Sequence, residues 1–158
     1  MAIDMFIKIG DIKGESVDAK HKDEVEVLSW NWGVNHVDST HVGSGAGAGK
    51  VSVHDLTFSK RIHIASPKLV LACCEGRHLA DAVLAVRRAG KTVFDYFTIS
   101  MKDVVVTVVL MEGSDDGLTE SVSIRFNEVT VKYTPQDKTG KAGTAVAAGW
   151  NVAKNKKL

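Results

Sequence analysis

The stretch VVVTVVLMEGSDDGLTESVSIRFNEVTVKY, from Val104 to Tyr133, decides the fold class. Its first part, Val104 to Met111, is a mostly apolar run, and its last part, from Ser121 onward, alternates apolar and polar side chains. The polar, glycine-containing segment EGSDDG lies between them and is typical of a hairpin turn. The stretch therefore predicts two long antiparallel strands joined by a tight turn.

Strand-like patterns continue outward from this hairpin. They cover His78 to Arg88 and Phe94 to Met101, and shorter ones lie around Phe6 and Leu56. Roughly seven or eight strands are expected, and strands at this spacing favour a closed barrel or a sandwich. The strand–helix alternation of a doubly wound fold does not occur. We therefore predict a mainly β protein, folded as a compact antiparallel β-barrel.

The segment from Val25 to Val34 changes its phase. Val25 and Val27 lie on one face of the strand pattern, whereas Leu28, Trp30, Trp32 and Val34 lie on the other. Such a change indicates a bulge or a strand buried differently along its length. Because residues two apart on a strand share a face, we expect Trp30 and Trp32 in the core. Their neighbours Ser29 and Asn31 then point away from it, as does Ser123 on the last long strand.

One short helix is predicted over residues 66–76. Ser66 is a favoured N-cap, Pro67 suits the first helical position, and Gly76 is a good stop. Four side chains are expected to point mostly inward: Leu69, Leu71, Cys73 and Cys74. Since the only two cysteines are adjacent, they cannot form a disulfide framework, and we expect two reduced core residues.

Two other segments lack strand patterns. Residues 36–50 are polar and glycine-rich, which is typical of an extended loop. Residues 135–158 are rich in Gly, Ala and Lys, and we expect this C-terminal tail to be irregular around Trp150.

Length and composition exclude several classes of protein. The chain has 158 residues, 44% hydrophobic and 25% charged, which is typical of one globular domain covering residues 1–158. Its net charge of +1 gives no general attraction to nucleic acid or anionic membranes. No apolar run approaches the roughly 20 residues that span a bilayer. We therefore expect neither nucleic-acid binding nor membrane insertion.

Motifs for chemistry are incomplete or missing. Gly49-Lys50 ends like a phosphate-binding loop, but the earlier glycine is missing and a strand is predicted to follow instead of a helix. His36, His41 and His54 are spread over a polar loop without the paired spacing of zinc ligands. Neither a nucleophile elbow nor a convincing acid–base pair occurs. The sequence predicts no enzyme, no metal and no cofactor.

Six segments occur in a fixed order along nearly the whole chain, together with the glycine-rich loop. They are MFIKIGDIKGES (5–16), LSWNWG (28–33), VHDLTFSK (53–60), SPKLVLACCEGRH (66–78), LTESVSIRFNEVTVKY (118–133) and GWNV (149–152). In this order and spacing they closely resemble the haemolysin-coregulated protein (Hcp) family of type VI secretion. Each segment alone is weak, but so many in register are hard to obtain by chance.

The resemblance implies a compact β-barrel flanked by one helix, as in phage tail tubes. Six copies would close into a ring with a wide pore, and rings would stack into a tube inside a contractile sheath, capped by a VgrG-type spike. Small effector proteins would be bound and chaperoned in the pore. We therefore expect cytoplasmic assembly, followed by secretion through the type VI machine without a cleaved signal peptide.

The resemblance also suggests where cargo and neighbouring rings make contact. Because strands line the pore in this family, we expect Asn31 to contact cargo, with Ser29 and Ser123 as weaker candidates. These residues would alternatively face the sheath or a neighbouring subunit. The ring-stacking arm is expected to comprise His41, Val42, Gly43, Ser44, Gly45, Ala46, Gly47, Ala48, Gly49 and Lys50. A surface loop without a partner is the alternative for this arm.

A second function stays open from the residues alone. A monomeric β-barrel module for a small ligand or a carbohydrate would expose Trp30, Trp32 and Trp150 as stacking platforms. The assembly state in solution distinguishes this module from a tube subunit.

Overall fold

The computed structural model describes residues 2–37, 49–88 and 92–158, which contain eleven strands and one helix. The strands are β1 (Ile3–Ile9), β2 (Val25–Glu26), β3 (Ser29–Asn31), β4 (Val34–Val37), β5 (Lys50–Val53), β6 (Leu56–Arg61), β7 (His78–Arg88), β8 (Asp95–Ser114), β9 (Gly117–Tyr133), β10 (Val146–Asn151) and β11 (Lys156–Lys157). The helix, α1, is Ala65–Glu75. The mainly β fold with one short helix is confirmed. The expected seven or eight strands were too few, because several strands of two to four residues show no periodicity of their own.

The long hairpin is formed by β8 and β9, which pair from Phe97–Tyr133 to Ser114–Gly117 around the turn at residues 115–116. The two strands expected on either side of residue 103 are one continuous strand. Asp103 interrupts the alternation because it adopts a positive φ of 56°, so the faces of β8 exchange there. Accordingly, both Met101 and Val104 are buried.

All strand pairs are antiparallel, and the order in the main sheet is β11-β10-β9-β8-β7-β1-β2. Strand β6 also pairs with β9, and β3 pairs with β6. The Val27 amide donates to the Met5 carbonyl beside β2, and the next amide, of Leu28, donates to Ser59 in β6 at 2.9 Å. Residues 25–31 therefore cross from one part of the sheet to another. The strands wrap around the core, although the series of paired strands is interrupted between β2 and β3.

This crossing explains the predicted change of phase. Val25 and Val27 are buried beside β1, and Trp30 packs against the same core from β3. Leu28 and Val34, which were assigned to the same face as the tryptophans, are 43% and 53% exposed, so the burial of that face does not extend to them.

The helix is confirmed, but its start and inner face differ from the prediction. Ile64 occupies the N-cap, so Ser66 lies in the first turn, where it is buried. The C-terminal end at Gly76 is confirmed, because this residue adopts the left-handed conformation at φ 60°. Leu69 is fully buried as predicted, whereas Leu71 is 57% exposed. Neither cysteine belongs to the fully buried core: Cys73 is half-buried, Cys74 is exposed, and both are free thiols.

The C-terminal tail is not irregular around Trp150, which corrects the prediction. Strand β10 pairs with the last six residues of β9, and β11 pairs with the end of β10. Gly149 lies opposite Thr130, and a Cβ there would come within 2.9 Å of both the Thr130 hydroxyl and the Leu158 side chain. Glycine, which weakens a strand prediction, is thus required by the close packing of this strand.

Candidate functional site

Four strand segments form one polar face: β3, β6, the first half of β9 and the second half of β8. Two rows of paired residues cross it, Ser29–Ser59–Ser121–Leu110 and Asn31–Thr57–Ser123–Val108. Directly paired residues of antiparallel strands point to the same side of the sheet, so these side chains share one surface. We call this surface the four-strand face.

The three predicted cargo-contact residues all lie on the four-strand face. Ser29 and Asn31 are exposed, and Ser123 is half-buried. The Ser29 hydroxyl lies 2.5 Å from the Ser59 hydroxyl, and the Thr57 hydroxyl lies 2.8 Å from that of Ser123. Thr57 stands between Asn31 and Ser123 in the same row, so the three candidates belong to one continuous polar surface.

The opposite side of β3 packs inward. The Trp30 ring stacks on Phe97 with 5.6 Å between ring centroids, and the Trp32 ring lies 6.2 Å from that of Phe126. The Trp32 indole N–H donates to the His54 carbonyl at 2.9 Å. Both tryptophans point inward, as the alternation predicts, but they are half-buried and pack against the core instead of lying within it.

A small charged cluster borders the four-strand face. Asp55 accepts a hydrogen bond from the Thr107 hydroxyl at 2.8 Å and another from Arg125 Nε at 3.2 Å. The side chain of Arg125 is 72% exposed, so this ion pair is strongly screened by solvent. Away from this cluster the rows are neutral, with small hydroxyl groups beside the exposed apolar side chains of Val108 and Leu110.

Sequence reasoning missed five of the eight residues in the two rows. Thr57 and Ser59 alternate with the buried Leu56 and Phe58, and that alternation could have placed them on the outward face of their strand. The exposure of Val108 and Leu110 left no such signal in an apolar run. A register shift between Val106 and Val108 turns these side chains outward.

Both borders of the four-strand face are open strand edges. In the described parts of the chain, β3 pairs only with β6. Strand β8 pairs with β7 as far as Val105, and from Val106 to Ser114 its only partner there is β9. Each edge presents backbone N–H and C=O groups that another strand can pair with.

The predicted stacking arm is only partly described. Residues His41 to Ala48 lie outside the described ranges. Its base is a two-stranded hairpin of β4 and β5, in which Val37 pairs with Lys50. A Cβ on Gly49 would overlap the Val37 carbonyl oxygen, so only glycine fits this close approach.

An apolar groove of about 380 Å³ lies between the arm base and the outer strands β9 and β10. Its lining residues are Trp32, Val34, Val51, Val53, Val129, Val131, Ala148, Gly149 and Trp150. The buried indole N–H of Trp150 has no hydrogen-bond partner within the described residues. Among those residues there is also no cluster of three His, Cys, Asp or Glu that could hold a metal ion, and no helix long and apolar enough to cross a membrane.

Comparison with known proteins shows which family this fold belongs to. The family model described as "Type VI secretion system effector, Hcp" matches residues 6–133. The chain belongs to the Hcp family. Protein hcp1 of Pseudomonas aeruginosa is 47% identical over an alignment of 159 positions that covers 98% of each chain. Hcp1 from Salmonella typhimurium is 38% identical, with a TM-score of 0.85 and full coverage of both chains.

Other solved structures agree with this assignment. A type VI secretion system effector from Yersinia pestis is 37% identical with a TM-score of 0.76, covering 94% of this chain and 100% of that one. A type six secretion system protein reaches a TM-score of 0.90 at 31% identity, with 99% and 100% coverage. The predicted Hcp-type tube protein of type VI secretion is therefore confirmed. Hcp is a structural, secreted family and not an enzyme family.

Proposed function

We propose that six copies of this chain close into a ring, that rings stack into a tube, and that the four-strand face lines the pore and binds effector proteins. The open edges of β3 and β8 are the observation that carries this proposal. An exposed edge invites pairing with another chain, and natural proteins usually cover or interrupt it. Here both edges border the same face, so pairing them between copies continues that face around a ring.

Strand directions allow this pairing. Neighbouring strands across the four-strand face are antiparallel, so β3 and β8 at its two borders run in opposite directions. The β8 edge of one copy can therefore join the β3 edge of the next as another antiparallel pair. This contact is head-to-tail, and such contacts give a ring when their rotation closes. The Hcp family suggests six copies, and each contact should bury at least about 1,000 Å².

The chemistry of the four-strand face suits reversible cargo binding. Its short hydroxyl groups and exposed Val108 and Leu110 offer hydrogen bonds and modest apolar contacts without a strong charge. Cargo held in this way can be released, because neutral hydrogen bonds exchanged with water contribute little net free energy. Asn31 has the longest polar side chain in the two rows and reaches furthest into the pore.

Asn31→Arg should leave rings intact while weakening effector binding by at least about tenfold, which corresponds to about 1.4 kcal/mol. Six long cations around the pore would repel one another and fill space that cargo needs. Light scattering measures the mass of the ring, and an effector pull-down with quantified binding measures the loss.

Ala80→Arg is the matched control, because it adds the same charge at an exposed position of β7, outside the four-strand face. It should leave both mass and binding unchanged. A wild-type protein that stays monomeric at micromolar concentration would refute the ring. Normal effector binding by intact Asn31→Arg rings would remove Asn31 from the cargo site.

The arm, residues 41–50, is proposed to contact the next ring. Its base carries the exposed side chains of Val34 and Val37, 53% and 61% exposed, next to the apolar groove. Apolar surface of this kind marks a site of contact with another protein chain. The four glycines and two alanines of the arm leave little side chain to order it before contact.

Deleting Ser44 to Ala48 should preserve single rings but weaken ring-on-ring association, because the arm becomes too short to reach its partner. Electron microscopy of concentrated protein measures the length of the stacks. Replacing the same five residues with serine keeps the arm at its full length. This variant therefore shows whether ring-on-ring association depends on the length of the arm or on its sequence. Stacks of unchanged length after the deletion would show that the arm is dispensable.

The remaining partners follow from family membership. We infer that the outer surface faces a contractile sheath, that a VgrG-type spike caps the tube, and that the tube assembles in the cytoplasm before secretion by the type VI machine. The monomeric binding module is not favoured. Trp30 and Trp32 pack against the core, which leaves only part of each ring for a ligand.

A further inference from the structure

Strands β6 and β9 share an unusual interior pair. Lys60 and Glu120 lie directly opposite each other in the strand register, and they are 0% and 2% exposed. They form an ion pair, which the hydroxyl of Ser66 in α1 bridges. This hydroxyl accepts a hydrogen bond from Lys60 Nζ at 2.9 Å and donates one to the Glu120 carboxylate at 2.7 Å. We propose that this pair determines the register of β6 on β9 and thereby the stagger of the four-strand face.

The rest of the β6–β9 contact distinguishes registers poorly. On the interior side Leu56 faces Ile124 and Phe58 faces Val122. Sliding β6 by two residues in one direction would bring Leu56 opposite Phe126 and Phe58 opposite Ile124, and sliding it in the other would bring Leu56 opposite Val122 and Phe58 opposite Glu120. Every new pair that does not involve the charged residues is still apolar, so burial of the apolar side chains alone discriminates weakly between registers.

The contacts on the four-strand face distinguish between registers of β6 on β9 no better. The observed hydroxyl pairs are Thr57–Ser123 and Ser59–Ser121, and Arg61 faces Thr119 at the end of the contact. A slip in one direction forms two other hydroxyl pairs, Thr57–Ser121 and Ser59–Thr119. A slip in the other direction keeps one, Ser59–Ser123, and sets Thr57 opposite Arg125. The Asp55–Arg125 contact also depends on register, but its exposed arginine makes it weak.

The ion pair penalises either slip. Sliding in one direction sets Lys60 opposite Val122, and sliding in the other sets it opposite Leu118. Either shift moves Glu120 from directly opposite Lys60 to a more distant diagonal position, which weakens the pairing of two charges that stay inside the fold. Burying an unpaired charge is among the most costly changes that a protein core can undergo. A single buried polar contact is well known to fix register in other folds.

The register also affects assembly, and this part of the proposal rests on the proposed ring. Among the described residues β3 pairs only with β6, so a slip of β6 carries the β3 edge along relative to the β8 edge. In a closed barrel the stagger between strands and the number of strands are linked. A chain with the wrong register would present edges that do not close into the same ring.

Cysteine trapping tests the register independently of the ring, in a Cys73→Ala/Cys74→Ser background. The pair Thr57→Cys/Ser123→Cys reports the observed register, and Ser59→Cys/Ser123→Cys or Thr57→Cys/Ser121→Cys report the two slipped registers. Only facing residues approach closely enough to form a disulfide readily. With Lys60 and Glu120 present, only the first pair should oxidise under mild conditions.

In the double variant Lys60→Met/Glu120→Leu, a slipped pair should also oxidise, in about a tenth of the chains or more. Lys60→Met/Glu120→Met provides a second apolar pair for the same assay if the first variant does not fold. The exchanged variant Lys60→Glu/Glu120→Lys restores the ion pair and should restore a single register. Oxidation of the observed pair alone in folded apolar variants would overturn the proposal.

Light scattering on the same proteins, without the probe cysteines, tests the consequence for assembly. The apolar variants should give a broad distribution of masses and the exchanged variant a uniform ring. If registers mix while the ring stays uniform, the link to assembly fails and the role in register stands. If the wild-type chain forms no ring, the proposed function fails separately.

Discussion

Replacing Lys60 with methionine should lower the free energy of unfolding by about 3–5 kcal/mol, because it leaves the buried Glu120 carboxylate without a counter-charge. Glu120 already has one buried oxygen, Oε2, without a hydrogen-bond partner among the described residues. Burial lowers the pKa of Lys60, and the hydrogen bond and charge of Glu120 oppose that shift. Each charged group in this pair therefore depends on the other.

Urea unfolding followed by circular dichroism measures this loss, at one fixed protein concentration because assembly contributes to stability. Arg61→Met is the matched control. Arg61 follows Lys60 in β6 and its side chain is exposed, so this substitution should change the free energy of unfolding by less than about 0.5 kcal/mol. The double variant Lys60→Met/Glu120→Leu should recover most of the loss. A Lys60→Met protein as stable as the Arg61→Met control would contradict the prediction.

Leu69→Asp should be similarly damaging, at several kcal/mol, because it places a carboxylate in the core beneath α1. The side chain of Leu69 is fully buried. The fold of a domain is typically stable by only about 5–15 kcal/mol, so this variant should be largely insoluble or strongly destabilised.

Leu71→Asp serves as the control because it makes the same substitution two residues away on the same helix. Leu71 is 57% exposed, so the melting temperature of the Leu71→Asp protein should fall little. Soluble yield and thermal unfolding compare the two variants. Equal loss in both would mean that α1 packs through a wider face than the structure shows.

Much of the architecture could be predicted from local patterns. The turn signal EGSDDG lies between an apolar run and an alternating one, and it specifies a hairpin wherever the strands are placed. Strand β7 begins and ends where its pattern predicts, at His78 and Arg88. Gly76 ends α1 because a left-handed residue is easiest for glycine. The polar faces around Asn31 and Ser123 were likewise visible as alternation.

The errors share one cause, which is that partners distant in sequence override local preference. Ser66 looks like an N-cap, but its hydroxyl binds Lys60 and Glu120 from two strands. Leu71 looks like a core residue, yet the sheet under α1 covers only the face that carries Leu69. The tail around Trp150 looks irregular, yet β9 supplies a complete edge for it to pair with.

The sequence by itself determined the fold class, the long hairpin, the end of the helix and the membership of the Hcp family. These depend on spacing and turn chemistry, which are local along the chain. Only the tertiary structure decided that Asn31 and Ser123 share one row through Thr57, that Lys60 faces Glu120, and that β3 and β8 keep open edges within the described part of the chain. Such pairings join residues far apart in the chain, and their free energy comes from burial and hydrogen bonding that no short segment contains.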